Sequence, residues 1–275
     1  MTYLERLMAR VEEVGNCLCV GLDPEPVSLP AGYSTDVAGI ERFGSLIIDV
    51  ALERAAAIKA NVAFFEAFGS AGIGALERLR ARIPAGVPFI ADAKRGDIGS
   101  TAARQVVALF DVLGADAVTL SPYLGRDALA PFLERADRFV YVLCRTSNPA
   151  AAEVQNLDVS GEPLYVHVAR RVREWAGDSA NAGLVVGATA PDELVRIREE
   201  APDLPFLVPG IGAQGGDVKA VLASGPVTEG PAAGRRGGAL LVNVSRGVSG
   251  AAADSGDPET ALRRSVAHWA DVLRC

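Results

Sequence analysis

The chain has 275 residues, of which 49% are hydrophobic and 22% are charged, and its formal net charge is −7 at pH 7. This length fits one large α/β domain spanning residues 1–275, and the apolar content suffices for a sizeable core. The acidic balance argues against nucleic acid as a partner, because DNA- and RNA-binding proteins usually carry a basic stripe, and no apolar run approaches the roughly 18 residues of a membrane span.

Short apolar strands alternate with amphipathic helices along the chain. An opening helix is predicted where Leu4, Leu7 and Val11 recur at helical spacing, with Thr2 and Glu5 spaced as a capping box. Eight strands are predicted after it, at 17–22, 56–60, 87–92, 116–121, 138–144, 182–187, 205–210 and 239–244. Eight β/α units predict a single (β/α)8 TIM barrel with an N-terminal capping helix, whose active site lies at the carboxyl ends of the strands.

Two connections are predicted to be irregular loops. Residues 146–162 are polar and contain Pro and Gly, and residues 224–238 are rich in Gly and Pro. The first loop follows the fifth predicted strand, and the second precedes the eighth.

The cysteines indicate the compartment. They stand at positions 17, 19, 144 and 275 and form no CxxC pair, which favours reduced thiols over a disulfide framework or a metal site. The first residues are charged and amphipathic, unlike a secretory signal. We therefore expect a cytoplasmic protein.

Polar side chains stand at the ends of most of the predicted strands. They are Asp23 after the first, Lys59 and Asn61 at the second, Asp92 and Lys94 at the third, Thr146 and Ser147 after the fifth, Gln214 after the seventh, and Arg246 after the eighth. Lysine is otherwise scarce, because only Lys219 joins Lys59 and Lys94 among 27 basic residues. Lysine, unlike arginine, can release a proton. These strand ends therefore predict a catalytic site.

The third strand carries the most informative segment, DAKRGDIGSTA at 92–102. The period of two in a strand places Asp92 and Lys94 on one face, and Asp97 follows as the chain leaves the strand. The alternative is that Asp92 and Lys94 form a purely structural salt bridge. Burying such a pair is costly, and a packed apolar pair often stabilises a fold equally well. The segment predicts a proton donor held between carboxylates.

Two segments near the end of the chain predict a phosphate site. A glycine-rich turn at 209–216 follows the seventh strand, and Ser245, Arg246 and Gly247 follow the eighth. Glycines let backbone N–H groups approach phosphate oxygens, barrels often bind phosphate at these two loops, and arginine adds a planar charged fork. The sequence therefore predicts a phosphorylated substrate.

Segment 92–102 resembles the catalytic Asp-x-Lys-x-x-Asp motif of orotidine 5'-phosphate decarboxylases, with that family's Ile and Thr after it. Matching residues occur in the same order over nearly the whole chain. The sequence Lys-Arg-Gly-Asp-Ile and the chain length are similar to those of the longer bacterial (type 2) branch of the family. The resemblance implies decarboxylation of orotidine 5'-phosphate to uridine 5'-phosphate without metal or cofactor. It implies that Lys59, Asp92, Lys94 and Asp97 form an array of alternating charge, in which Lys94 remains protonated despite burial and protonates C6 of the pyrimidine.

The resemblance also implies binding roles and a partner. The substrate contacts it implies are Asp23 and Lys59 to the ribose hydroxyls, Ser147 or alternatively Thr146 to the pyrimidine, and Gln214 and Arg246 to the phosphate. Asp97, Ile98 and Thr101 are expected to reach into the site of a second subunit. The family pattern therefore implies a homodimer.

Two other functions fit parts of the pattern. A metal-dependent sugar-phosphate decarboxylase, similar to 3-keto-L-gulonate 6-phosphate decarboxylase, shares the Asp-x-Lys-x-x-Asp motif but has an acidic metal ligand where this chain has Lys59, and a cation there repels Mg²⁺. A catalytically inactive sensor of pyrimidine nucleotides has no need of a proton donor. His167 and His268 belong to no recognisable triad or zinc motif and are expected on helix surfaces.

Overall fold

The computed structural model describes residues 1–177, 180–212 and 215–275. Within these ranges a barrel of parallel strands is closed by β1 (Leu18–Leu22), β2 (Ala57–Asn61), β3 (Phe89–Arg95), β4 (Ala117–Leu120), β5 (Phe139–Arg145), β8 (Ala182–Val186), β9 (Phe206–Val208) and β10 (Leu241–Val244). A separate antiparallel hairpin consists of β6 (Asp158–Val159) and β7 (Glu162–Pro163). The predicted (β/α)8 barrel and its eight strands are confirmed, with small differences at the strand ends.

The barrel strands are buried on both faces. Around the barrel the order is β1-β10-β9-β8-β5-β4-β3-β2, and β1 closes the ring by pairing with both β10 and β2. Every residue of β1 and of β8 is buried. Parallel strands covered on both faces read as continuous apolar runs, which explains why these strands could be located in the sequence.

Helices surround the barrel and connect its strands. Those of the described chain are α1 (Tyr3–Val14), α2 (Val37–Ala51), α3 (Ala63–Glu66), α4 (Gly69–Ala81), α5 (Gly99–Val106), α6 (Arg126–Leu133), α7 (Ala152–Gln155), α8 (Leu164–Ala176), α9 (Pro191–Glu200), α10 (Val218–Ser224), α11 (Arg246–Ala253) and α12 (Pro258–Val272). A π-helical turn over Val107–Val112 continues α5. None of the helices in the described ranges has both the length and the apolar character needed to cross a membrane.

Helix α1 closes the amino-terminal end of the barrel. The predicted capping box is present, because the Thr2 side chain accepts a hydrogen bond from the Glu5 backbone while the Glu5 side chain accepts one from the Thr2 backbone. Tyr3 stacks on Phe139, the first residue of β5, with 4.7 Å between ring centroids. The hydroxyls of Tyr3 and Tyr141 are hydrogen-bonded at 3.0 Å. The polar carboxyl ends of the strands lie at the opposite end of the barrel.

The expectation of an irregular loop over residues 146–162 was wrong. This segment contains α7, the strand β6 and the first residue of β7. The hairpin turns at Ser160 and Gly161, whose φ angles are +56° and +88°. Positive φ at both central residues is the two-residue turn that matches the twist of paired strands, so the Ser-Gly pair was a hairpin signal. Segment 224–238 is irregular as predicted. Its regular residues are the last residue of α10 and the start of a 3₁₀ turn at 236–239.

All four cysteines are free thiols. Cys17, Cys19 and Cys144 are buried, and Cys275 is exposed at the end of the chain. The expectation of unpaired thiols is confirmed. Burial raises the pKa of the Cys19 thiol to about 12, so this side chain behaves as a small apolar group of the barrel interior.

Candidate active site

A cavity of about 480 Å³ opens at the carboxyl ends of the barrel strands. Its lining includes these residues predicted for the site: Asp23, Lys59, Asp92, Lys94, Ser147 and Arg246. Three predicted residues, Asp97, Ile98 and Thr101, do not line it. Gln214 lies outside the described residues. The structure thus brings together side chains separated by more than 200 positions in the chain, as expected for strand ends that meet at one rim.

Four side chains form a line of alternating charge in this cavity. Lys59 Nζ lies 3.7 Å from Asp23 Oδ1 and 3.0 Å from Asp92 Oδ2. Lys94 Nζ donates to Asp92 Oδ1 at 2.6 Å. Asp92 therefore holds one ammonium on each oxygen, and the order is Asp23, Lys59, Asp92, Lys94.

Burial and pairing together hold Lys59 and Asp92 in their ionised forms. Only 5% of the Lys59 side chain and 13% of the Asp92 side chain is exposed. Burial alone would lower the pKa of Lys59, but the carboxylates of Asp23 and Asp92 outweigh it and raise that pKa above its usual value. Burial alone would raise the pKa of Asp92, but the two lysines outweigh it and lower that pKa well below the usual range.

Lys94 differs from the sequence-based expectation of a buried group. Its side chain is 48% exposed, so its ammonium reaches Asp92 while facing the open cavity. Its φ angle is +47°, in the left-handed region that non-glycine residues seldom adopt, and such a conformation costs on the order of 1–3 kcal/mol. The pairing of β3 with β4 shifts register between Ala91 and Arg95, and Lys94 lies in this interval. Backbone strain next to a reactive side chain is typical of functional sites.

Thr119 belongs to the site but is missing from the sequence prediction. It lies on β4, is 1% exposed and lines the cavity. Its hydroxyl donates to Asp92 Oδ1 at 2.8 Å and accepts from the backbone N–H of Lys94 at 2.9 Å. The fourth predicted strand showed no charged residue at its end, and a threonine inside a strand resembles any β-branched strand residue.

The loop after β5 supplies the side of the cavity. Thr146, Ser147 and Gln155 all line it. The Thr146 hydroxyl accepts from Gln155 Nε2 at 2.8 Å and donates to Asn148 Oδ1 at 2.6 Å. Gln155 Oε1 also accepts from the Thr146 backbone N–H at 2.8 Å, so helix α7 anchors this loop.

The predicted phosphate loops form the other side of the cavity. Gly210 and Ile211 after β9, and Ser245 and Arg246 after β10, line it together. Gly210 has a φ angle of +102°, which a side chain at that position would disfavour. Arg246 is the first residue of α11 and is exposed, and no ion pair joins it to another described residue. A free guanidinium at a helix amino terminus favours an anion.

The segment after β3 faces away from this cavity. Asp97 Oδ1 accepts from the backbone N–H of Ile98 at 2.8 Å, and the Ile98 side chain is 62% exposed. Thr101, on α5, lines a neighbouring apolar groove of about 420 Å³. Within one chain, Asp97 is therefore not part of the charge array.

The donor set at the array suits an organic anion. In the described part of the chain, no group of three or more His, Cys, Asp and Glu side chains is arranged to hold a metal ion. The Lys59 ammonium occupies the space between Asp23 and Asp92. A divalent cation bound by these two carboxylates would have to displace it.

The comparisons with known proteins agree with this geometry. Residues 16–264 match the model of the family described as "Orotidine 5'-phosphate decarboxylase / HUMPS family". The chain is 46% identical to an orotidine 5'-phosphate decarboxylase of Herpetosiphon aurantiacus over 95% of this chain and 94% of that protein. It is 49% identical to that of Roseiflexus castenholzii over 90% of this chain and 89% of that protein.

A solved structure extends the likeness to three dimensions. The OMP decarboxylase of Leishmania donovani superposes with a TM-score of 0.83 and 39% identity, covering 100% of this chain and 99% of that one. The family match covers most of the sequence, and the barrel, the charge array and the phosphate loops lie where that match runs. The chain therefore belongs to the orotidine 5'-phosphate decarboxylase / HUMPS family.

Proposed function

We propose that this protein decarboxylates orotidine 5'-phosphate to uridine 5'-phosphate, the last step of de novo pyrimidine nucleotide synthesis. The observation that carries the proposal is the line Asp23, Lys59, Asp92, Lys94 in a cavity that is also lined by Arg246, which forms no ion pair with any described residue. The relatives named above are decarboxylases of this substrate.

Lys94 is the proton donor in this proposal. Cleavage of the bond between C6 and the carboxylate releases CO₂ and leaves the electron pair on C6 as a vinyl carbanion. The Lys94 ammonium stabilises this charge, gives C6 a proton and regains one from solvent. Two unit charges about 4 Å apart attract by roughly 4 kcal/mol at an effective dielectric of about 20. One fixed ammonium therefore lowers the barrier substantially.

Asp92 and Lys59 prepare Lys94 for this step. Asp92 accepts a hydrogen bond from Lys94 Nζ at 2.6 Å and so fixes the position of the ammonium. Lys59 in turn keeps Asp92 ionised and, with Asp23, offers polar groups to the ribose hydroxyls. An ionised Asp92 beside the substrate carboxylate also disfavours the ground state.

The loops after β5, β9 and β10 that line the cavity bind the ring and the phosphate in this proposal. Arg246, Gln214 and the backbone after β9 bind the phosphate, whose binding energy aligns the reacting carbon. Ser147, or alternatively Thr146, contacts the pyrimidine in this proposal, since both line the cavity.

The second subunit of a homodimer completes the site. Asp97, Ile98 and Thr101 lie outside their own cavity, beside exposed apolar side chains that include Val112, which is 64% exposed. Exposed apolar surface around a groove is typical of an interface. A second copy of the chain covers this groove and receives Asp97 as the last carboxylate of the array.

Mixing two inactive variants tests the shared site. Lys94→Ala and Asp97→Ala are each expected to be inactive. If Asp97 acts in the partner's site, subunit exchange between them regenerates one intact site in each mixed dimer. No recovery of turnover after mixing would contradict the shared site.

A spectrophotometric assay tests the function itself. We expect turnover of orotidine 5'-phosphate, followed at the pyrimidine absorbance, to continue in the presence of a chelator. Activity lost on chelation and restored by Mg²⁺ would favour the metal-dependent sugar-phosphate decarboxylases. Binding of uridine 5'-phosphate without turnover would favour a nucleotide sensor. We further propose that residues 1–275 act as one domain in the cytoplasm, in keeping with four free thiols.

A further inference from the structure

We infer that Thr119 is a positioning residue for the decarboxylation, acting through both Lys94 and Asp92. The inference rests on the proposed function, because its main readout is turnover. Thr119 lies on β4 and carries no charge, and neither the charge pattern nor the family motif points to it.

One hydroxyl joins the two charged residues into a closed ring of hydrogen bonds. The Lys94 backbone N–H donates to Thr119 Oγ1 at 2.9 Å, and Thr119 Oγ1 donates to Asp92 Oδ1 at 2.8 Å. Asp92 Oδ1 also accepts from Lys94 Nζ at 2.6 Å, which closes the ring. The single hydrogen of the Thr119 hydroxyl is therefore donated to Asp92 Oδ1. The backbone of Lys94, through Thr119, and its side chain directly are both held relative to this oxygen.

The ring of hydrogen bonds lies where the regular pairing of β3 with β4 is interrupted. Register between β3 and β4 is regular at Ala91 and resumes at Arg95, whose carbonyl accepts from the backbone N–H of Ser121 at 2.7 Å. Between these points Lys94 adopts a φ angle of +47°. Among the described residues its backbone N–H has no strand partner and donates to the Thr119 hydroxyl instead. This hydrogen bond holds the left-handed conformation that aims Lys94 into the cavity.

Loss of the hydroxyl would release Lys94 without disturbing the groups that hold the rest of the substrate. The Thr119 hydroxyl has one hydrogen, which it donates to Asp92 Oδ1, so the positions of Arg246 and Lys59 do not depend on a hydrogen bond from it. The ammonium would then be misplaced relative to C6 while the phosphate, the ring and the ribose still bind. The expected signature is a lower kcat with an almost unchanged KM, because the lost interaction matters most in the transition state.

Two substitutions at Thr119 separate the hydroxyl from the shape of the side chain. Thr119→Val keeps the branched shape and removes the hydroxyl, whereas Thr119→Ser keeps the hydroxyl and removes a methyl group. Tyr141→Phe is the matched control, because it removes a buried hydroxyl of the adjacent strand β5 whose one hydrogen-bond partner among the described residues is Tyr3, at the end of the barrel that α1 closes. The three variants and the wild type are compared for kcat, KM, affinity for uridine 5'-phosphate and thermal midpoint.

We expect Thr119→Val to lower kcat by about 10- to 100-fold, the scale of a misplaced catalytic group. Its KM and its affinity for uridine 5'-phosphate should stay within about threefold of wild type. Thr119→Ser should recover most of the rate, and Tyr141→Phe should lower the thermal midpoint without changing kcat. A kcat of Thr119→Val within twofold of wild type, or an equally slow Thr119→Ser, would overturn the inference. If Thr119→Val does not fold, Thr119→Ala carries the same expectation.

Amide hydrogen exchange at Lys94 gives a readout that does not depend on turnover. The Lys94 amide should be protected in the wild type and in Thr119→Ser, and should exchange at least tenfold faster in Thr119→Val. If the wild type does not turn over orotidine 5'-phosphate, the proposed function fails, yet this exchange still tests the hydrogen bond. An unprotected Lys94 amide in the wild type would overturn the inference even where the enzyme is active.

Discussion

Replacing Lys59 by methionine tests how strongly the charge array is coupled. Methionine is also unbranched and fills most of the same space, but it leaves Asp23 and Asp92 without the ammonium between them. At an effective dielectric of about 20, separations of 3.0 and 3.7 Å correspond to attractions of about 5.5 and 4.5 kcal/mol. The cost of burying the lysine offsets much of this.

The net destabilisation expected for Lys59→Met is about 3–5 kcal/mol, the usual result of removing one partner of a buried ion pair. Asp92 keeps Lys94 but loses one of its two ammonium neighbours, so its lowered pKa should rise towards the unfolded value. The stability that a lowered carboxyl pKa contributes is lost as the group becomes protonated, so the deficit of Lys59→Met should stay constant near neutral pH and shrink as pH falls below about 4.

Urea unfolding at fixed protein concentration measures this effect. Lys219→Met, which removes an exposed lysine of α10, is the control and should change the unfolding free energy by less than about 0.5 kcal/mol. A double-mutant cycle of Lys59→Met with Asp92→Asn should give a coupling energy above about 1 kcal/mol. Additive effects, or a deficit below about 1 kcal/mol that does not vary with pH, would refute the picture of a tightly coupled array.

Three further predictions concern the reaction and its pH dependence. Arg246→Ala should lower kcat/KM for orotidine 5'-phosphate by about 10- to 150-fold, the equivalent of about 1.5–3 kcal/mol for a charged hydrogen bond, with little change in thermal midpoint; unchanged kinetics, or an equal loss with orotidine lacking the phosphate, would contradict this. Lys94→Ala should give a folded dimer on size-exclusion chromatography with no measurable decarboxylation, and near-normal activity would remove Lys94 from its role. The pKa of Asp92 is lowered, so the stability that Asp92 contributes should be lost only as pH falls below about 4. The pKa of Lys59 is raised, so the stability that Lys59 contributes should be lost only as pH rises above about 10. The pH dependence of the coupling energy measures both, and a loss near pH 7 would show that the array is not ionised as described.

Much of the site could be predicted because barrel geometry turns chain order into spatial proximity. Each of Asp23, Lys59, Asp92 and Arg246 stands at the end of a buried apolar run, and the ends of parallel barrel strands meet at one rim. Four residues remote in sequence could therefore be assigned to one cavity without any knowledge of their contacts. The two loops predicted to bind phosphate could be placed at the same rim, because they follow the seventh and eighth predicted strands, and residues of both line the cavity.

Other features depend on contacts that no local pattern encodes. The Ser160-Gly161 hairpin is an exception, because its turn signal is local, but the polar composition around it favours irregular backbone. The exposure of Lys94 could not be inferred, because a strand period of two assumes regular backbone and its φ angle of +47° breaks it. Asp97 and Lys94 share a motif, yet only Lys94 faces the cavity of its own chain.

The sequence by itself determined the eightfold alternation of strands and helices and the set of charged residues at one rim, since both follow from short-range periodicity and from the topology of a closed parallel sheet. Only the tertiary structure decided which charges touch and how Lys94 is held. The Thr119 hydroxyl accepts from the Lys94 backbone N–H and donates to Asp92, and each of these bonds joins β3 to β4 at an irregular point of their pairing. Such a bond depends on distances through space, and sequence spacing does not specify them.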